Sequence, residues 1–390
     1  MHDTADAVVI GAGSTGASIA FHLAARGLAV ALIERGQIAS GPTGASPAIL
    51  RQNYAHPTLA RLAREGLRTF QRWGDEVGGD CRFVQTGFAT GVTAADLPAL
   101  AATVALQRSL GIAIDLLSPE EFGQLAPDAA LDGLAGAAHE PGAGYCDPRA
   151  ATAALVAAAT RSGAVVRGGV AVHEIRVRGG RVAGVETSQG PIDAPVVVNA
   201  AGPWARRLAR TSGGTELPIV VTRHCVVRVA LPRPSRWPAL MAYAERGRFY
   251  LRPASDEHCL VGSLDHAVDS REVSPDDFAR DVDDPTCARF AARAALRFGR
   301  LAGAATLGGW ASVFDDTPDG NPLIGADPRV RGSFIAAGLS GHGFKLCPVF
   351  GRGIADLVTL GHTELPFGDL AVDRFDAPSR GPDTGTGGAQ

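Results

Sequence analysis

The chain has 390 residues, 46% hydrophobic and 20% charged, which is ordinary for a globular protein and long enough for two domains. Its formal net charge of −3 gives no basic surface for nucleic acid, and no apolar run is long enough to span a bilayer. The six cysteines are scattered without a C-x-x-C, and strand-forming sequence begins by Ala7 with no room for a signal peptide, so we expect a cytoplasmic protein with reduced thiols, no disulfide framework and no metal site.

In chain order, the first strong feature is Val8 to Gly16. Apolar residues run up to Ile10, and G-x-G-x-x-G follows over Gly11, Gly13 and Gly16. The pattern reads as a buried strand, a tight turn at Gly11, close backbone approach at Gly13 and a helix packed on the strand through Gly16. The free N–H groups and positive end of that helix would face phosphates. The helix runs through Ile19, Phe21 and Leu23 to Gly27, and a second strand, 28–33, ends in Glu34. An acidic residue about 20 positions past the glycines accepts hydrogen bonds from a ribose diol and would repel the 2′-phosphate of NADP. Together these residues indicate an ADP-binding site for FAD or NAD.

The turn-rich stretch Ser40 to Pro47 is too long for a tight connection and marks a functional loop. Leu59, Leu62, Leu67, Phe70 and Trp73 then fall at helical spacing, with arginines on the other faces. Residues 80–146 form a first excursion. Within it, 83–92 suggests a strand pair broken at Gly87, Leu97 to Leu110 a helix, and Ser118-Pro119-Glu120-Glu121 a capping box. Asp147-Pro148 caps an Ala-rich helix that ends near Gly163. A strand over 165–177 pairs back through 181–187. Val196-Val197-Val198 then runs into the small residues Asn199 to Gly202 and Trp204, another close approach of backbone to ligand.

A second excursion begins near Leu217, with strands at 219–229, 249–251, 260–262 and 308–314. The acidic stretch 265–284 reads as a solvated connection, and Phe290, Ala294, Leu296 and Leu301 as a helix. The final return runs from Asn321 through a strand at 333–337 to Gly338-Leu339-Ser340-Gly341-His342-Gly343-Phe344-Lys345, with a closing helix from about Pro348 to Leu360. Of the 37 basic residues only Lys345 is a lysine, so an ammonium group stands where arginine serves everywhere else. No internal repeat is present.

At these residues the chain resembles the D-amino-acid oxidase/sarcosine oxidase superfamily of flavoproteins, nearest the sarcosine oxidase branch. The likeness covers the glycine motif with Glu34, the S-G-x-T-G-x-S loop before Arg51, Asp147-Pro148, V-V-V-N-A-A-G-P-W, T-P-D-G-x-P-x-I-G at 317–325 and G-x-S-G-H-G-F-K ending at Lys345. It implies an α/β and α+β fold: a Rossmann-like FAD-binding domain of glutathione-reductase type plus a mixed β-sheet substrate domain. The expected division gives 1–79, 147–215 and 322–375 to the FAD domain, 80–146 and 216–321 to the substrate domain, and 376–390 to a disordered tail.

The resemblance also implies the site residues. FAD would lie against Gly11, Gly13, Ser14, Thr15, Gly16, Glu34 and Arg35; against Ser40, Thr43, Gly44, Ala45 and Ser46; against Val170, Ala200, Gly202 and Trp204; and against Gly338, Ser340, Gly341, His342, Gly343, Phe344 and Lys345. Arg51 and Lys345 occupy the positions of a substrate-carboxylate clamp, a bidentate guanidinium beside a point charge. His342 would sit at the flavin edge, and Tyr250 and His224 on the pocket wall. Each of the last three has a plain structural role as its alternative. Trp310 reads as core or as a ring beside the flavin.

Three departures qualify the picture. Ser312 stands where monomeric sarcosine oxidases carry their flavin-linking cysteine, and the 40–47 loop has no histidine, so non-covalent FAD is expected. The strand at Leu260-Val261 lacks the lysine with which those oxidases activate oxygen, leaving oxygen or another redox partner as acceptor. Ala48 replaces a second clamp arginine, which suits a larger or less polar substrate. The implied reaction is hydride transfer from the carbon next to nitrogen of an amino or N-alkyl amino acid, free or carrier-bound, to flavin N5. The alternatives are a 2-hydroxy acid dehydrogenase of the same fold, with His224 or His342 as base, and a flavin-binding subunit of a larger complex.

Overall fold

The computed structural model describes residues 3–232, 238–244 and 247–376; the expected tail 376–390 lies, after its first residue, outside them. The Val-rich segments come together as a six-stranded sheet in the order Leu323–Ala326, Ser333–Ala337, Val196–Asn199, Ala7–Ile10, Val30–Glu34, Val165–Gly168. All neighbours are parallel except the Leu323–Ala326 edge. Its inner strands are buried along their length, which is why they read as continuous apolar runs rather than alternating ones. Helices Ser14–Ala24, Pro148–Arg161 and Gly343–Leu360 pack together beside this sheet in one apolar core. A Cβ on Gly351 would lie 2.1 Å from Ser18 Oγ, so these two helices meet backbone to backbone.

The excursions build a second, mixed sheet of nine strands among the described residues. At its heart Phe88–Val92 runs parallel to Ala239–Ala244 and antiparallel to Gly136–Glu140. The long strands Val220–Ala230 and Thr306–Asp316 pair at one side, and helix Asp284–Arg297 covers a face through Phe290, Ala291 and Ala294. A four-stranded sheet, Asp3–Thr4, Gly190–Asp193, Arg181–Thr187 and Val172–Arg178, caps the molecule.

Several expectations need correction. Residues 165–177 are two strands in different sheets, because Gly169 at φ +72° turns the chain between them. Residues 83–92 are not a pair: Val84 bridges Tyr145, whereas Phe88–Val92 pairs with Gly136–Glu140 in the nine-stranded sheet, and Gly87 at φ +75° is the break between them. The last helix starts at Gly343, with Pro348 inside it. The missing N–H costs one bond there, but Phe344, Lys345, Leu346 and Cys347 are all buried and tertiary packing carries the first turn through. Leu296 is 54% exposed, so it lies off the buried face of its helix. The acidic stretch is not merely solvated: Asp269 is buried against Arg289 and Arg293. The capping box at Ser118 and the Asp147 cap are present as expected.

Candidate active site

Two cavities flank the junction of the two sheets. The larger, about 500 Å³, opens around the glycine turn and is cofactor-sized. Gly11 is at φ +100°, and a Cβ on it would lie 2.6 Å from the Ala200 carbonyl oxygen. A Cβ on Gly16 would lie 1.9 Å from the Gly11 oxygen, so the turn closes on itself only with glycine at both places. At Gly13 the obstacle would be only the Thr43 hydroxyl, at 2.9 Å. The helix N–H groups are not all free: Ser14 N–H donates to Thr43 Oγ1 at 3.1 Å. Glu34 accepts from Ala12 N–H and Gly36 N–H, both at 2.8 Å, which fixes its carboxylate at the cavity wall.

The residues present fit a phosphate- and hydroxyl-bearing dinucleotide. Thr15 Oγ1 and Asp315 Oδ2 are buried polar atoms without a hydrogen-bond partner among the described residues, and both residues line this cavity. Such atoms are costly unless a polar ligand satisfies them. Burial pushes Asp315 up to about 7.

The smaller cavity, about 150 Å³, is where the substrate-clamp candidates meet. Arg51, Lys345, His342, Tyr250 and His224 all line it, with the rings of Phe88, Phe314 and Phe344. Lys345 sits in the first turn of its helix; Gly66 lets helix Pro57–Gln71 press against its carbonyl, where a Cβ would come within 2.5 Å. Lys345 Nζ donates to Gly341 O at 3.3 Å. Burial, and then the Arg51 charge, hold its ammonium well below the usual lysine range. Arg51 donates to Asn53 O, and its guanidinium lies 4.4 Å from the Tyr54 ring centroid. No ion pair to Arg51 or Lys345 is present among the described residues. Behind Arg51, fully buried Glu140 accepts from Gln52 N–H at 2.7 Å and Asn53 N–H at 2.9 Å; burial pushes it up to about 7. Arg51 and Lys345 thus meet at one buried space, and Glu140, the carboxylate whose charge acts on Arg51, is already committed to backbone.

The histidines are held neutral. His342 Nδ1 is 2.9 Å from Tyr54 Oη, and burial, Lys345 and Arg51 push its pKa far down. His224 has both ring nitrogens engaged, Nε2 with Thr222 Oγ1 at 2.9 Å and Nδ1 with Ser270 Oγ at 3.3 Å. It stacks on Phe314 at 3.8 Å, and burial followed by His266 lowers it to about 3. Tyr250 is raised by burial, and its ring fills the space left by Gly262.

Of the expected cofactor contacts, Gly11, Gly13, Thr15, Gly16, Glu34, Arg35, Ser40, Thr43, Val170, Ala200, Gly202 and Trp204 line the larger cavity. Ser46, Ser340, Gly341, His342, Phe344 and Lys345 line the smaller. Ser14, Gly44, Ala45, Gly338 and Gly343 line neither. Gly44 packs against Ala39 O and Arg149 instead, and Gly338 and Gly343 make room for Thr317 and Leu339. Trp310 donates to Ala45 O at 2.8 Å and also lines neither cavity. Sequence reasoning missed Tyr54, Glu140, Arg252 and Asp276. Glu140 carried a signal, a charge ending a short strand whose other residues, His139 apart, are small. Arg252, which donates to Pro47 O at 2.6 Å and so ties down the 40–47 loop, carried none.

Comparison with known proteins agrees with this geometry. The family model described as "DAO: FAD dependent oxidoreductase" matches residues 6–357. A curated relative, 4-methylaminobutanoate oxidase (formaldehyde-forming) of Paenarthrobacter nicotinovorans, is 29% identical over 94% of this chain, which spans only 45% of that protein. Glycine oxidase of Geobacillus kaustophilus is 28% identical over 95% of this chain and 97% of its own, and its crystal structure superposes with a TM-score of 0.84. The crystal structure of L-proline dehydrogenase from P. horikoshii gives a TM-score of 0.88 at 27% identity, covering 96% of this chain and 99% of that one.

Proposed function

Because this chain belongs to the DAO family of FAD-dependent oxidoreductases, we propose that it oxidises the C–N bond of an amino or N-alkyl amino acid to an imine, which water then hydrolyses unless it is cyclic. The observation that carries this reading is the convergence of Arg51 and Lys345, with no ion-pair partner among the described residues, on the buried space beside the cofactor cavity. Such a pair fixes the distance and rotation of a carboxylate. Bound FAD supplies the electron sink for the hydride from the carbon next to nitrogen. The chain's own contribution is to clamp the carboxylate, to wall out water with Tyr250, Phe88 and Phe344, and to keep His342 neutral through burial and the Lys345 and Arg51 charges, with Tyr54 holding its ring. The relatives' names, spanning glycine, L-proline and 4-methylaminobutanoate, support a primary or secondary amino acid.

The hydroxy-acid alternative needs a histidine base, and the engagement of both His224 nitrogens with Thr222 and Ser270 counts against it. Ser312 and a 40–47 loop without histidine support non-covalent FAD. We further assign the six-stranded sheet with its helices to the cofactor and the nine-stranded sheet to the substrate, with oxygen or another carrier as electron acceptor and the cytoplasm as location. No helix among the described residues is long and apolar enough to cross a membrane. The test is an anaerobic visible spectrum of the purified protein, followed by sarcosine, L-proline, N-methyl amino acids, D-amino acids and 2-hydroxy acids in turn. An amine should bleach the flavin band. Bleaching by a 2-hydroxy acid alone, or a protein that takes up no FAD, would overturn the reading.

A further inference from the structure

Asp276 belongs to the acidic stretch that leaves the nine-stranded sheet, yet its carboxylate sits at the rim of the cofactor cavity. It takes three donors there. Arg35 NH1 and Arg207 NH1 donate at 2.9 Å each, and the Trp204 indole N–H donates at 2.7 Å. All three donor residues line the cavity. The Arg35 guanidinium lies 3.6 Å from the Trp204 ring centroid, so one carboxylate holds a stacked cation–aromatic pair at that rim. The stretch is itself anchored: Arg223 donates to Ala279 O at 2.8 Å and to Asp281 O at 2.9 Å, and Ala311 N–H donates to Arg280 O.

We infer that Asp276 is a positioning residue for the adenosine end of the cofactor, acting through Arg35 and Trp204. The inference rests on the FAD reading and on Glu34, next to Arg35, marking where a ribose diol would bind. A planar guanidinium on an indole is a platform on which a planar heterocyclic base stacks. The side chains of Arg35 and Asp276 are each 43% exposed. Unheld, Arg35 would lose its rotamer freedom each time ligand arrived, whereas Asp276 has already removed that freedom. The ligand moiety so recognised is the adenosine of a dinucleotide, which FMN lacks. Arg35 and Trp204 follow strands of the six-stranded sheet and Asp276 follows a strand of the nine-stranded one, so adenosine recognition depends on both sheets being in place.

The experiment measures flavin fluorescence quenching as apo-protein is titrated separately with FAD and with FMN, for wild type, Asp276→Ala and Trp204→Phe. Asp276→Ala is expected to raise the Kd for FAD by about tenfold and to leave that for FMN unchanged. Trp204→Phe, which keeps a ring but loses the N–H donor, is expected to show a smaller loss of the same kind. Equal weakening of FAD and FMN would mark Asp276 as merely structural and overturn the inference, as would unchanged FAD affinity. A wild-type protein that binds neither flavin would instead overturn the FAD reading itself.

Discussion

Lys345 carries its charge into a place that resists charge. Desolvation and the Arg51 guanidinium both work against its ammonium form, and a bound carboxylate would relieve both. Lys345→Met should therefore raise KM roughly ten- to a hundredfold, the effect of about 1.5–3 kcal/mol for a hydrogen bond to a charged group, while leaving FAD bound. Unchanged steady-state kinetics would remove Lys345 from the clamp. Because its pKa lies below that of an ordinary lysine, the wild-type KM should also climb with pH earlier in the alkaline range than free lysine titrates, and that climb should vanish in Lys345→Met. At this scale the sequence was informative where a residue stood in a motif, as Lys345 and Arg51 do. It was silent where function rests on a partner far along the chain. Arg35 and Asp276 are 241 positions apart, and nothing near Asp276 announces the contact.

The glycine turn shows what an element demands of its residues. A Cβ on Gly16 would meet the Gly11 oxygen at 1.9 Å, a backbone atom that cannot move away, whereas one on Gly13 would meet only the Thr43 side chain. Gly16→Ala should thus lower Tm by several degrees with or without cofactor, a fold effect. Gly13→Ala should leave the apo-protein's Tm nearly unchanged and weaken FAD retention, because the methyl group displaces Thr43 and takes space at the cavity wall. Thermal melts with and without FAD separate the two; equal losses in both variants would contradict the assignment. Strands and helices with strong periodicity, the capping box and the Asp147 cap were legible from local pattern alone. The start of the last helix was not. Pro348 is a local stop signal, and the packing that overrides it comes from the first helix of the chain.

Across the molecule, several buried groups titrate against the usual sense, and they shape stability with pH. His22 and His224 fall to about 4 and about 3 in the folded protein, against an unfolded value near 6.5. Below that value the unfolded chain binds more protons than the native one, so stability rises with pH through this window and is lost progressively as pH falls. Glu140 and Asp315, raised to about 7, act in the opposite sense between their unfolded values and pH 7 and partly offset the trend. Tm should consequently drop as pH falls through the acid range, where the histidines and the carboxylates held below their ordinary range, Glu216, Asp276 and Asp319 among them, act in the same sense. His224→Asn should shallow that drop, and an unchanged acid limb in this variant would remove His224 as a cause.

The order of strands in the six-stranded sheet has a consequence for how the protein is made. Ala7–Ile10, which leads into the glycine turn, precedes most of its sheet in the chain. Val30–Glu34 soon joins it, but its other neighbour Val196–Asn199 emerges from the ribosome much later, Ser333–Ala337 after that, and the helix Gly343–Leu360 that packs on Ser14–Ala24 later still. Until Val196–Asn199 arrives, the strand that leads into the dinucleotide turn has only Val30–Glu34 beside it, and its other edge stands open to chaperones. Flavin capture therefore waits until Ser333–Ala337 and Gly343–Leu360 have closed over segments made well before them in the same polypeptide. The cofactor then stabilises, by mass action, a row of strands that no earlier stage of the chain could have assembled.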